Sequence, residues 1–175
     1  MNGPSTYAEW LVLLDRFRAG DDSVVQAMQG GSVVWTNVVA ERWTHQVAGV
    51  FEVRLRALSG QLQTGLDRAR GDHFTIANAL VAARRGSAAL RTFASLPCFP
   101  DVVRNHLVAE LDRWATETQK SLEKSATQIR HDQGKLLKTI RDNPLTAACA
   151  DHPTSPGHQT QRGHDGLARG RRIIL

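Results

Sequence analysis

Residues 34–70 read VWTNVVAERWTHQVAGVFEVRLRALSGQLQTGLDRAR, and this stretch decides the fold. It contains no proline, and its apolar residues recur in steps of mostly three and four, the spacing of one face of an α-helix. At 1.5 Å per residue, the predicted helix is roughly 55 Å long. Gly49, Gly60 and Gly65 lie inside it, and they indicate either close approach of another helix or a bend.

A second long helix is predicted after a tight turn. Gly71 ends the first helix, and Asp72 caps the next one, which keeps its helical periodicity to about Ser95. Residues 96–100 read LPCFP and break the pattern, because proline disfavours the α conformation in the residue before it.

A third long helix is predicted from Asp101 to about His131, with its apolar residues again at helical spacing. Gly134 interrupts the pattern, and residues 135–141 predict one or two further basic turns. The periodicity then ends at Asn143-Pro144.

The N-terminal segment predicts two short helices. Thr6 and Glu9 have the spacing of a capping box, in which each side chain satisfies a backbone N–H of the other residue. Gly20 ends this first helix. Asp22 is predicted to cap the second, which ends at Gly30-Gly31.

The sequence therefore predicts an all-α fold, an antiparallel bundle of three long helices with one or two short N-terminal helices and a disordered C-terminal tail. We place the bundle domain at residues 1–141 and the flexible polar tail at 142–175. Three long helices leave part of an apolar stripe uncovered, so we expect self-association into a dimer.

Charge is distributed unevenly along the chain. Residues 1–119 hold 12 Arg, no Lys and 12 acidic residues, whereas residues 120–141 hold six basic and two acidic ones. The six basic residues are Lys120, Lys124, Arg130, Lys135, Lys138 and Arg141. This basic segment predicts either weak binding to the phosphate backbone of a nucleic acid or a solvated helix end. No aromatic residue follows Trp114, which argues against stacking on single-stranded bases.

The aromatic residues are expected to be core or interface anchors, because aromatic stripes at helical spacing usually pack. They are Trp10, Trp35, Trp43, Trp114, Phe51, Phe74 and Phe93. Trp35 and Trp43 lie two turns apart with Val39 between them, so these three residues are the candidate protein-interaction surface.

One short motif resembles a known family. Arg68 and His73 are spaced as R-x4-H, which is similar to the motif of the all-α HEPN ribonucleases. The resemblance covers six residues, and it implies an arginine and a histidine that act on an RNA phosphodiester at a dimer interface. Gly71 lies between the two positions and places them on different helices, which departs from the family's arrangement.

No catalytic, cofactor or metal site is predicted. Three histidines of the tail, His152, His158 and His164, are six residues apart, and we interpret them as part of a solvated segment. Cys98 and Cys149 form no ligand motif and indicate a reduced, cytoplasmic chain, and no stretch reaches the roughly 20 apolar residues of a membrane span. We expect a non-enzymatic adaptor or accessory subunit that binds a protein partner and self-associates. Nucleic-acid binding through residues 120–141 and the tail is the first alternative, and a HEPN-like ribonuclease is the second.

Overall fold

The computed structural model describes residues 3–32, 37–128 and 133–146, and they form helices without any strand. The helices are α1 (Tyr7–Arg18), α2 (Val24–Gln29), α3 (Asn37–Ala69), α4 (His73–Ala94), α5 (Asp101–Gln128) and α6 (Gln133–Asp142). The three long helices predicted from the sequence are α3, α4 and α5. The all-α bundle is confirmed for the described part of the chain.

The helix ends follow from their capping residues. At the start of α1, the Thr6 hydroxyl accepts the Glu9 backbone N–H at 3.3 Å, and the Glu9 carboxylate accepts the Thr6 N–H at 3.0 Å. Asp72 caps α4 by accepting the Thr75 N–H at 2.9 Å. Gly20 and Gly71 have φ angles of 108° and 89°, which glycine adopts without steric cost after a helix. The capping box, the Asp72 cap and the glycine stops are therefore confirmed.

The predicted cap of α2 is wrong. The N-cap residue is Ser23, which makes no side-chain capping bond. Asp22 instead accepts from Arg54 of α3, with 2.5 Å between Arg54 Nη2 and Asp22 Oδ1. The carboxylate thus ties the α1–α2 region to the long helix.

Helix α4 lies at the centre of the bundle and contacts α2, α3, α5 and α6, while α1 packs on α3. Two glycines let α3 and α4 approach closely. A Cβ on Gly65 would lie 2.9 Å from the Cβ of Ala79, and one on Gly86 would lie 2.5 Å from the Leu58 side chain. A Cβ on Gly60 would meet nothing within 4 Å. The sequence alone is compatible with either close helix approach or a bend at the glycines of α3. At Gly65 the structure shows a close approach.

An aromatic cluster fills the core beside α1. The Phe17 and Phe93 rings stack with centroids 4.4 Å apart, and Phe99 meets Phe93 edge-on at 5.3 Å. Trp10 packs edge-on to Trp43 at 5.4 Å. Of the two roles expected for the aromatic residues, Phe74 does not have the core one, because it occupies the first turn of α4 and is 72% exposed.

Helix α6 packs against α4 and α5. Its apolar side buries Leu136 and Ile140, and Leu145 beyond it is also buried. The Gln119 carboxamide holds α6 and the residues just after it in place: Nε2 donates to the Ile140 carbonyl at 3.4 Å, and Oε1 accepts the Leu145 N–H at 3.2 Å. Packing therefore extends to Leu145, and residues 147–175 of the predicted tail lie outside the described residues.

Candidate interaction surfaces

The predicted surface around Trp35, Val39 and Trp43 is only partly described. Trp43 is completely buried and packs edge-on against both Trp10 and Tyr7, so it belongs to the core. Trp35 and the side chain of Val39 lie outside the described residues. An interaction surface at those two positions stays a prediction, and Trp43 does not contribute an exposed ring to it.

A groove opens beside this core, on the solvent side of α3. It has a volume of about 1090 Å³, and His106 of α5 forms part of its wall. Its less exposed lining residues are Ala40, Thr44 and Ala48, which repeat every four residues and form a floor of small side chains. Glu41 and Arg42 stand exposed on its rim. Such a floor allows another backbone to approach α3 closely.

A second cleft continues between the same two helices. It has a volume of about 400 Å³ and is lined mainly by Leu62 and Leu66 of α3 and by Trp114 and Leu122 of α5. Leu66, Trp114 and Leu122 are only half-buried. The Trp114 indole N–H donates to the Ser59 hydroxyl at 2.7 Å, which holds the ring across the cleft.

The groove and the cleft lie on one side of the bundle. At 3.6 residues per turn, positions 41, 45 and 48 of the groove and 59, 63 and 66 of the cleft point within about 60° of one another. Ala40, Arg42 and Gln46, which also line the groove, point about 60–100° outside that arc. Positions 106, 114, 117 and 121 of α5 fall within about 80° by the same geometry. The α3 residues that line the groove are separated from those that line the cleft by residues 49–58, where the Glu52–Arg56 ion pair is exposed. We call this side of the bundle the α3–α5 face.

The rim of the α3–α5 face carries both signs of charge. Glu41 and Glu117 supply carboxylates, and Arg42 supplies a guanidinium. None of these three groups forms an ion pair with a residue that the structure describes. His45 and His106 also line the groove. Within the described ranges, no three histidine, cysteine or carboxylate side chains come together as metal ligands.

The predicted basic segment folds back on itself. Lys120 and Lys124 lie on the outer side of α5, while Lys135, Lys138 and Arg141 lie on the outer side of α6. All five are exposed, and Arg130 lies outside the described residues. We call these five the basic α5–α6 surface. The segment is thus two neighbouring helices rather than one continuous basic helix.

Several cations of the molecule, both on this surface and elsewhere, form no ion pair among the described residues. All six salt bridges found among the described residues join an arginine and a carboxylate between residues 16 and 113. Lys120, Lys124, Lys138 and Arg141 form no ion pair with any described residue. Glu123, which lies among them, accepts a hydrogen bond from Gln119 at 3.0 Å. These four cations are therefore unpaired among the described residues, as are Arg18, Arg42 and Arg85.

Arg68 and His73 lie on either side of a left-handed turn. Arg68 is in the last turn of α3, and His73 is the first residue of α4. Arg70 and Gly71 between them have φ angles of 45° and 89°. Both side chains are exposed, and no described residue makes a hydrogen bond or ion pair to either one. The His73 ring lies 6.3 Å from that of Phe74. The ribonuclease hypothesis remains untested.

Cys98 lies in the α4–α5 connection and is half-buried. Burial raises the pKa of its thiol to about 11, so it is protonated at neutral pH. A thiol in this state is a poor nucleophile.

The α3–α5 face was missed by the sequence reasoning, although one signal for it exists. Ala40, Thr44 and Ala48 repeat at four-residue spacing, and this repeat indicates a helix side suited to close packing. The partner side on α5 has no such signal, because the rotation of α5 about its axis is set by tertiary packing.

Comparison with known proteins gives no match for this chain: no family model, curated protein or solved structure is similar to it. Among the helices described, none is both long and apolar enough to span a membrane.

Proposed function

We propose that this protein is a helical interaction module that acts through protein–protein contacts and self-associates through the α3–α5 face. The observation that carries the proposal is the pair of openings between α3 and α5, lined by residues 40–48 and 59–66 of α3. A bundle of antiparallel helices gains stability when a further apolar stripe covers such openings. The occupant we assign is the same face of a second copy.

The shape of the face supports a helix as its occupant. The groove and the cleft hold about 1090 and 400 Å³, and they are open along their length. Small-molecule sites are usually clefts or cavities of about 300–1,000 Å³ that bury most of the ligand's surface. An amphipathic helix instead buries a row of side chains along a groove. The half-buried Leu66, Trp114 and Leu122 would become fully buried beneath it.

The charges on the rim support a second copy as the source of that helix. A two-fold interface places the same surface patch on both partners, so the patch must complement itself. Glu41 and Glu117 line the two openings, and Arg42, which points about 100° away from Glu41 around α3, lines the groove as well. Two such rims brought together about a two-fold axis can pair a carboxylate of one copy with a guanidinium of the other.

Sedimentation equilibrium over a range of concentrations tests this proposal. The wild-type chain is expected to be a dimer, and a Gln63→Arg/Ser121→Arg variant is expected to dimerise at least tenfold more weakly, because like charges then face each other across the interface. Gln63 and Ser121 line the cleft and are exposed, so the variant should fold.

A Gln61→Arg/Thr127→Arg variant is the matched control. It adds the same charge at two exposed positions that do not line the cleft, and it should dimerise like the wild type. A wild-type chain that stays monomeric at every concentration would refute self-association. Equal weakening of both variants would refute the assignment of the face.

A further inference from the structure

Most of the chain's positive charge excess lies in residues 120–141, which contain the basic α5–α6 surface. The five cations of the basic α5–α6 surface occupy two helices that pack together, and helices in contact have axes about 8–10 Å apart. Lys120 and Lys124 are separated by four residues, which is about 6 Å along the axis of α5. Lys135, Lys138 and Arg141 continue the positive charge over about 9 Å of α6.

The position of these cations is fixed by the fold. Leu136 and Ile140 anchor one side of α6 in the core, so the basic residues on its other side face solvent. The Gln119 side chain holds the end of α6 through the Ile140 carbonyl and the Leu145 N–H. A positioned row of cations loses less conformational freedom on binding than the same charges in a flexible segment.

We infer that the basic α5–α6 surface binds the phosphate backbone of a double-stranded nucleic acid. A duplex carries one negative charge for about every 1.7 Å of its axis, so several of its phosphates fall within reach of this surface. Lys120, Lys124, Lys138 and Arg141 form no ion pair with a described residue that a phosphate would have to replace.

The chemistry of the surface favours a duplex over a single strand. Binding to single strands usually combines cations with aromatic rings on which bases stack. The chain has no Phe, Trp or Tyr after residue 114, so the surface offers charge and no stacking platform. Contacts to phosphates alone do not read sequence, and the binding is therefore expected to be independent of base sequence.

Fluorescence anisotropy with a labelled mixed-sequence DNA duplex tests the inference on the full chain. The logarithm of the binding constant should fall with the logarithm of salt concentration, with a slope of up to about −4.5 for five phosphate contacts. A Lys120→Gln/Lys124→Gln/Lys138→Gln/Arg141→Gln variant should bind at least tenfold more weakly and should lose about four of those slope units.

The matched control is an Arg18→Gln/Arg56→Gln/Arg85→Gln/Arg113→Gln variant, which removes the same charge from exposed positions of α1, α3, α4 and α5. It should bind within threefold of the wild type. Circular dichroism of both variants establishes that the helices form. Equal weakening in the two variants means that net charge alone drives binding and overturns the assigned surface.

Three further arms separate other sources of binding. Neutralising Arg169, Arg171 and Arg172 should leave most of the affinity, and loss of binding there instead would assign the contact to the tail. Tighter binding to a single strand of the same length, or to anionic lipid vesicles, would overturn the duplex as the partner. So would the absence of any binding at 50 mM salt. Because self-association is read from sedimentation, its failure is distinguishable from the failure of this inference.

Discussion

Gly65 of α3 faces Ala79 of α4 so closely that a Cβ on Gly65 would lie 2.9 Å from the Cβ of Ala79. Non-bonded carbon atoms pack best at about 3.5–4.0 Å, so this spacing has no room for another methyl group. The absence of a side chain at residue 65 therefore allows the two backbones to approach this closely. Glycine elsewhere in α3 has no such reason.

A matched pair of substitutions in α3 follows from this contact. Gly65→Ala is expected to lower the free energy of unfolding by about 1–2 kcal/mol, because overpacking outweighs the gain in helix propensity. Gly60→Ala adds the same methyl group in open space and should raise it by about 1 kcal/mol. Urea titration followed by circular dichroism measures both, and equal effects would contradict the close approach.

A second prediction concerns Arg54, which joins α3 to the N-terminal helices. Its guanidinium carbon lies 5.1 Å from the centre of the Phe17 ring, and its side chain, which pairs with Asp22, is 12% exposed. Arg54→Ala should cost about 1–3 kcal/mol of unfolding free energy, since packing, a cation–π contact and a charged hydrogen bond are all lost. Arg54→Lys should recover only part of this, because an ammonium lacks the planar donor geometry.

Arg56 supplies the control for that measurement. It pairs with Glu52 on the same helix, but its side chain is 76% exposed. Arg56→Ala should therefore change the unfolding free energy by less than about 0.5 kcal/mol. A cost as large as that of Arg54→Ala would show that burial does not distinguish the two arginines.

The sequence predicts local features of this fold well, because they depend on neighbouring residues. Thr6 and Glu9 cap each other across three residues, and Gly71 with Asp72 sets the end of one helix and the start of the next. Each of these needs only backbone geometry and a short side chain. The lengths of α3, α4 and α5 follow from the same signals.

Features that depend on contacts between helices were not predictable. Asp22 is a residue type that often caps helices, and it lies just before α2. Its carboxylate instead accepts a hydrogen bond from Arg54, 32 residues away. Phe74 has the spacing of a core residue, but the rotation of the first turn of α4 points it to solvent. The α3–α5 face depends in the same way on how two distant helices are rotated.

The stability of the fold should depend on pH through Asp72, the residue that caps α4. Two hydrogen bonds from Thr75 lower the pKa of Asp72 below the ordinary value of 3.8. The bond from the Thr75 side chain has the larger effect, and the bond from its backbone N–H the smaller one. The lowered pKa means that the folded state favours the carboxylate. Its contribution is present above the unfolded pKa and is lost as the pH falls through the folded one.

A variant separates this contribution from general acid unfolding. Asp72→Ala should lower the urea midpoint at pH 7, and the difference from the wild type should shrink as the pH falls below the ordinary aspartate pKa. Asp72→Asn keeps a capping oxygen and should lose less at pH 7. A difference between wild type and Asp72→Ala that stays constant down to pH 2 would contradict the role of the charge.

The Gln119 carboxamide helps to hold α6 against the bundle, and removing it should increase local unfolding around Leu145. Gln119→Ala leaves the Leu145 N–H and the Ile140 carbonyl without their side-chain partner. If this costs about 1.4 kcal/mol, the amide of Leu145 should exchange its hydrogen about tenfold faster, while amides in the middle of α3 keep their rates. Gln61→Ala, at an exposed position of α3, should change neither. Hydrogen exchange followed by NMR measures these amides one by one, and faster exchange throughout the bundle would mean that Gln119 supports the whole core rather than α6 alone.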